Sequence, residues 1–219
     1  MQPLEKRNVA VLGATGLIGS HLVEQLLSDS RFGEIHLLSR KPLDISGKRV
    51  RNSVLDFADS AALKDALASC PVVCCAVGTT LKQVGGDKER YREVDYAIPV
   101  QAARICASHP HSAMLLVSSV GADARHRNFY LSLKGEMETA VMEAGLFSLD
   151  IFRPSLLLGK RKEFRFGEKL AQLLMEPLAP LIPSRYKPIA AAQVAMAMRQ
   201  VGANPRSGIR IHHFAEMVN

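Results

Sequence analysis

Seven residues near the start of the chain constrain its fold more than any others. Gly13-Ala-Thr-Gly16-Leu-Ile-Gly19 follows the apolar run Asn8-Val-Ala-Val-Leu and opens a segment with helical spacing at Leu17, Ile18, His21, Leu22, Gln25 and Leu26. A strand, a glycine loop and a helix in that order form the first unit of a dinucleotide-binding βαβ fold. The spacing is G-x-x-G-x-x-G, one residue wider at the front than G-x-G-x-x-G, and the physics is the same. Gly13 allows the tight turn, Gly16 lets the backbone approach a pyrophosphate, and Gly19 lets helix and sheet pack closely. The helix start presents free N–H groups and partial positive charge to the anion.

The same alternation continues. Apolar runs at Glu34–Ser39, Val50–Leu55, Pro71–Val77, Ser112–Ser118 and Phe147–Arg153 read as strands. Helical patterns occupy Leu17–Leu27, Ala61–Ala68, about Tyr96–Ser108 and Phe129–Glu143, and Pro99 belongs in the first turn of the third or kinks it. Continuous apolar strands between helices predict an α/β Rossmann fold, a doubly wound parallel sheet covered on both faces. With 219 residues, one domain spans 1–219, and about 155–219 contributes a small substrate or lid lobe. In that lobe the pattern gives a basic loop, a helix near Glu168–Met175, a Pro-rich turn and a helix at Ala190–Val201.

The tip of the second strand selects the dinucleotide. An NAD site usually places an Asp or Glu there for the ribose hydroxyls. Here the tip is Ser39-Arg40-Lys41, and two cations suit a 2′-phosphate, so NADP(H) is preferred over NAD(H). Asp56-Phe57 after the third strand and Val77-Gly78 after the fourth flank adenine and its ribose in such an architecture.

Downstream of the fifth strand come Ser118-Ser119-Val-Gly121 and then Phe129-Tyr130-Leu-Ser-Leu-Lys134. Tyr130 and Lys134 at i and i+4 share a helix face. A free Tyr has a pKa near 10, and an adjacent ammonium favours phenolate, so the pair suits proton transfer at neutral pH. A serine hydroxyl at a strand end can bind a carbonyl oxygen as charge develops on it. By the period of two, only one of Ser118 and Ser119 should reach the site. The bland alternative is a core Tyr beside a solvated helix Lys.

Taken together, GATGLIG, SRK, VGTT, VSSVGAD, FYLSLKGEME and FRPSLLLG resemble the atypical short-chain dehydrogenase/reductases, in particular the oxidoreductases related to the Tat-interacting (CC3) protein. The resemblance runs from about Val9 to Glu168. It implies Tyr130 as proton donor and acceptor, Lys134 as its partner, and Ser119 or Ser118 as third member, with the Ser-Ser-x-Gly pattern favouring Ser119. It also implies NADP(H) contacts at Gly13, Thr15, Gly16, Leu17, Ile18, Arg40, Lys41, Val77 and Gly78, with Leu157 and Arg165 near the nicotinamide. Many short-chain reductases carry Asn-Ala-Gly after the fourth strand. Here Val-Gly-Thr-Thr stands there, so no relay Asn can be assigned.

The implied function is an NADP(H)-dependent oxidoreductase, an enzyme acting on a small-molecule carbonyl or alcohol. The other reading is an NADP(H)-binding regulatory or redox-sensing protein acting through protein partners, with little turnover. A homodimer fits either. The charge of +7 is compatible with nucleic acid, but the basic run Lys160–Arg165 is too short for a binding stripe and suits a loop over the cofactor. The Leu170–Ile182 stretch suits a pocket lid, a dimer patch or core. His109, His111 and His212-His213 lack carboxylate or Cys neighbours at metal-like spacing, so no metal site is expected and the histidines read as solvated or turn residues. The four cysteines, Cys70, Cys74, Cys75 and Cys106, form no zinc or disulfide pattern and suit buried thiols in a reducing cytoplasm. No run reaches the roughly 20 apolar residues of a membrane span, and no secretory signal is read at the start, so a soluble cytoplasmic protein is expected.

Overall fold

The computed structural model describes residues 6–159 and 183–218. Its elements in chain order are β1 (Arg7–Leu12), α1 (Leu17–Ser28), β2 (Phe32–Ser39), β3 (Val50–Val54), α2 (Ser60–Leu67), β4 (Val72–Cys75), α3 (Lys88–Arg92), α4 (Ile98–Ala107), β5 (Ala113–Val117), α5 (Phe129–Met142), β6 (Ser148–Phe152), β7 (Leu157–Leu158), β8 (Ile189–Ala190), α6 (Ala191–Ala203), β9 (Gly208–His212) and α7 (Phe214–Val218). Seven strands form one sheet in the order β3-β2-β1-β4-β5-β6-β9, each pair parallel. The order reverses between β1 and β4, and the crevice at such a switch point is where open α/β sheets take their ligands.

The strands are apolar on both faces because both are covered. Val9 and Val11 of β1 pack with Ile35, Leu37, Leu115 and Phe152 under α1 and α6. Ala10 and Leu12 pack with Leu38, Val73, Met114, Leu116 and Ile151 under α2, α4 and α5. Three helices begin on a side-chain cap: Asp59 for α2, Asp87 for α3 and Asn128 for α5. Each satisfies two first-turn amides that otherwise have no intrahelical partner.

Four expectations are corrected. The helix placed at about Tyr96 begins a full two turns earlier, at Lys88, and runs through a π-helical turn, Glu93–Ala97, into α4. Pro99 lies in the first turn of α4, as expected, directly after the π turn. It has no N–H to donate to a carbonyl of that turn, a loss tolerated at the first positions of a helix. A seventh strand, β9, joins the sheet edge, and β7 pairs with β8 across the residues that lie outside the description. His212 is not solvated. Its ring stacks on Phe152 with centroids 4.6 Å apart, and its Nε2 lies 2.7 Å from Asp150 Oδ1, which Arg210 Nε also approaches at 2.8 Å.

Residues 191–218 lie against the sheet itself, α6 on α1 and β9 on β6. The expected helix at Glu168–Met175, the Lys160–Arg165 run and the Leu170–Ile182 stretch lie outside the described residues. All four cysteines are free and buried, and burial pushes the Cys75 and Cys106 thiols up to about 12. Among the described residues no helix is long and apolar enough to cross a membrane.

Candidate active site

The glycine loop sits where β1 leaves the sheet beside β4. Gly13 has φ +88°, and a Cβ there would lie 2.6 Å from the Ala76 backbone. At Gly19 a Cβ would lie 2.0 Å from the Gly13 carbonyl oxygen. Both glycines are demanded by close backbone contact, as the loop pattern requires. α1 itself opens on Gly16, with no side chain capping its first turn. Unlike α2, α3 and α5, it leaves those amides to be satisfied from outside the loop, the arrangement that receives an anion.

A cavity of about 1190 Å³ starts at this loop and crosses the carboxyl edge of the sheet. Thr15, Gly16, Leu17 and Ile18 line one end, Val77 and Gly78 the middle, and Ser118, Ser119, Tyr130 and Lys134 the other, with Leu157 also in the lining. Residues far apart in sequence thus face one space. Gly13 and Gly19 shape the loop from behind. Arg40 and Lys41 are exposed at the end of β2, and neither side chain is held in an ion pair with a described residue. Asp56 is exposed after β3, where its carboxylate accepts the Ala58 N–H at 3.0 Å in a local turn. Arg165 lies outside the described residues.

Ser118 and Ser119 both line the cavity, against the expectation that one would turn away. β5 ends at Val117, so the period of two no longer applies to them. The Ser118 backbone continues along the next strand, its N–H donating to the Phe152 carbonyl at 2.8 Å. Its Oγ is buried with no hydrogen-bond partner among the described residues. Ser119 Oγ donates to the Val120 carbonyl at 3.3 Å.

The structure also brings in a residue the sequence reading passed over. Lys134 is not solvated: it is 4% exposed, and its Nζ lies 2.9 Å from Oδ1 of Asp95, itself 1% exposed. Burial disfavours the Lys134 ammonium, but the Asp95 carboxylate and then the Tyr130 phenol outweigh it and raise its pKa above the ordinary lysine value. Asp95 Oδ2 accepts the Thr79 N–H at 2.7 Å. A buried acid, 39 residues before the Lys it pairs with, leaves no local signal in the sequence; only the helix position relative to Val-Gly-Thr-Thr could have suggested it. Further along α5, Glu138 takes the Arg153 guanidinium, with Nε 3.0 Å from Oε1, and Arg92 Nη1 reaches Glu136 at 2.8 Å.

A glycine loop with an open helix start and a Tyr–Lys pair in one cavity fit a nicotinamide dinucleotide. A family model described as NAD(P)H-binding matches residues 13–158. The chain is an atypical short-chain dehydrogenase/reductase of this NAD(P)H-binding family. Among relatives in this family, protein HTATIP2 of Rattus norvegicus is 30% identical over 208 residues, covering 94% of this chain and 85% of that protein. The mitochondrial protein FMP52 of Candida albicans is 32% identical over 169 residues, covering 75% of this chain and 73% of its own length. Among solved structures, the Bordetella bronchiseptica enzyme WbmH in complex with NAD+ superposes with a TM-score of 0.73 at 15% identity, covering 96% of this chain and 76% of that one. UDP-glucose 4-epimerase of Thermus thermophilus in complex with NAD gives 0.68 at 18%, covering 96% and 81%. At such identities the structural likeness concerns the fold.

Proposed function

We propose that this reductase-family chain is an NADP(H)-dependent oxidoreductase that interconverts a small-molecule carbonyl and its alcohol. The observation that supports it is the single cavity joining the open start of α1 to Tyr130, Lys134 and the Ser118-Ser119 pair. Bound there, the nicotinamide would supply or accept the hydride.

The chain's own residues divide the remaining work. The first amides of α1, with Thr15 and Gly16, would hold the pyrophosphate. Arg40 and Lys41 are exposed cations suited to a 2′-phosphate, with Asp56, Val77 and Gly78 toward the adenosine and Leu157 toward the nicotinamide. Tyr130 Oη gives its proton to the carbonyl oxygen during reduction and takes it back from the alcohol during oxidation. Lys134 Nζ stabilises the phenolate left behind. A serine hydroxyl at the end of β5, Ser119 Oγ or Ser118 Oγ, donates a hydrogen bond to the substrate oxygen. The free buried thiols suit a reducing compartment, and the cytoplasm is the location we propose.

Tyr130→Phe tests the reading. The expected result is unchanged NADPH affinity with turnover of a carbonyl panel reduced about 10²–10⁴-fold. If wild-type protein binds NADPH but oxidises it with no carbonyl in a Tyr130-dependent manner, the enzyme reading falls and a binding protein that uses NADP(H) as a ligand remains.

A further inference from the structure

Lys134 enters the cavity from α5, yet the group that sets its position comes from another helix. Asp95 lies in the π turn Glu93–Ala97, and its two carboxylate oxygens point in different directions: Oδ1 to Lys134 Nζ at 2.9 Å, Oδ2 to the Thr79 N–H at 2.7 Å. Thr79 belongs to the Val77-Gly-Thr-Thr80 loop that lines the middle of the cavity. One carboxylate therefore ties the exit of β4 to the Tyr–Lys helix. A second tie, Arg92 to Glu136, holds the same two helices one turn away.

We propose that Asp95 is a positioning residue of this site, orienting Lys134 and fixing the Val77–Thr80 loop against it. The groups facing Lys134 are Asp95 from the π turn, Tyr130 from the preceding turn of α5 and the Cys75 thiol from β4. Asp95 is the carboxylate among them, so removing its charge leaves a buried ammonium without a counter-ion. The inference rests on the oxidoreductase reading only for its turnover measurement.

Asp95→Asn, made in the full chain, keeps the side-chain shape and an acceptor for Thr79. In wild type the pKa of Lys134 is raised, so its contribution to stability is present below the ordinary lysine value and is lost as pH rises through the raised one. In the variant the largest group opposing burial is gone, Tyr130 and Cys75 remaining, and the Lys134 pKa falls below its wild-type position, so the loss in Tm is greatest near neutral pH and shrinks toward pH 10. Lys134→Met instead leaves the Asp95 carboxylate buried without its counter-ion and is destabilised as well. The double variant is more stable than the sum of the single losses allows. NADPH binding at neutral pH weakens about tenfold in Asp95→Asn, and kcat on any carbonyl that wild type reduces falls about tenfold or more.

A pH-independent deficit with additive single losses overturns the proposal, as does wild-type NADPH affinity in Asp95→Asn. Should that variant not fold, Lys134→Met and the double variant carry the same comparison. If the pH profiles and NADPH affinity respond as expected while wild type reduces no carbonyl, Asp95 keeps its positioning role and the oxidoreductase reading fails separately.

Discussion

The two ends of the cavity are built on different physics. At the β1–α1 end the ligand-facing groups are backbone: uncapped amides, with glycines whose Cβ positions are filled by neighbouring carbonyls. At the α5 end they are side chains, and the charges beside them are paired, Lys134 with Asp95, Glu138 with Arg153 and Glu136 with Arg92. Backbone recognition is indifferent to most side chains and intolerant of a single methyl group in the wrong place. Side-chain chemistry tolerates changes of shape better than changes of charge.

The sharpest way to break this contrast is Gly19→Ala. A Cβ 2.0 Å from the Gly13 carbonyl oxygen cannot be accommodated without moving α1 away from the loop. The expected loss is about 4 kcal/mol or more in urea unfolding, together with NADPH binding. Ser20→Ala, one residue on and exposed, should change stability by less than about 0.5 kcal/mol. A Gly19→Ala protein with wild-type stability would show that the loop is not closed by backbone contact.

At the α5 end the ion pairs should rank by burial. Glu138 is 2% exposed and takes a forked guanidinium, whereas the Arg92–Glu136 side chains are 39% and 37% exposed. Glu138→Gln leaves Arg153 half-enclosed without its counter-charge and should cost about 2–3 kcal/mol, discounted because Arg153 retains some water. Glu136→Gln, screened by solvent, should cost less than about 1 kcal/mol. Equal losses in chemical unfolding would mean that burial does not set the worth of these pairs.

The same contrast explains what could be read from the sequence. Strands β1 to β6, helix α5 and the glycine loop announce themselves because apolar runs, period and glycine spacing are local signals. β9 does not. In Gly208–His212 the outward residue Ile209 is 50% exposed, while Arg210 and His212 turn inward to Asp150. Its pattern is inverted by a carboxylate some 60 residues earlier, which hydrophobicity cannot reveal. Asp95 was missed for a related reason: an acid in a helix reads as solvated unless its partner is known. Ser118 and Ser119 were separated by a strand periodicity that stops one residue before them.

The substitution expected to disturb stability least is the most specific, and it concerns a part of the dinucleotide end that does rely on charge. Arg40 and Lys41 follow β2, in register beside β1, exposed and without a described carboxylate partner. If they serve a 2′-phosphate, they act by attraction alone and contribute nothing to the packed core. Arg40→Ala with Lys41→Ala should therefore leave the unfolding midpoint unchanged and weaken NADPH about 10- to 100-fold. NADH, which lacks that phosphate, should lose less than about threefold in the same titration. The NADPH loss should shrink at high salt, because both side chains stand in solvent. Equal weakening of the two cofactors would assign this tip to general attraction of the pyrophosphate, leaving dinucleotide choice to the backbone end of the cavity.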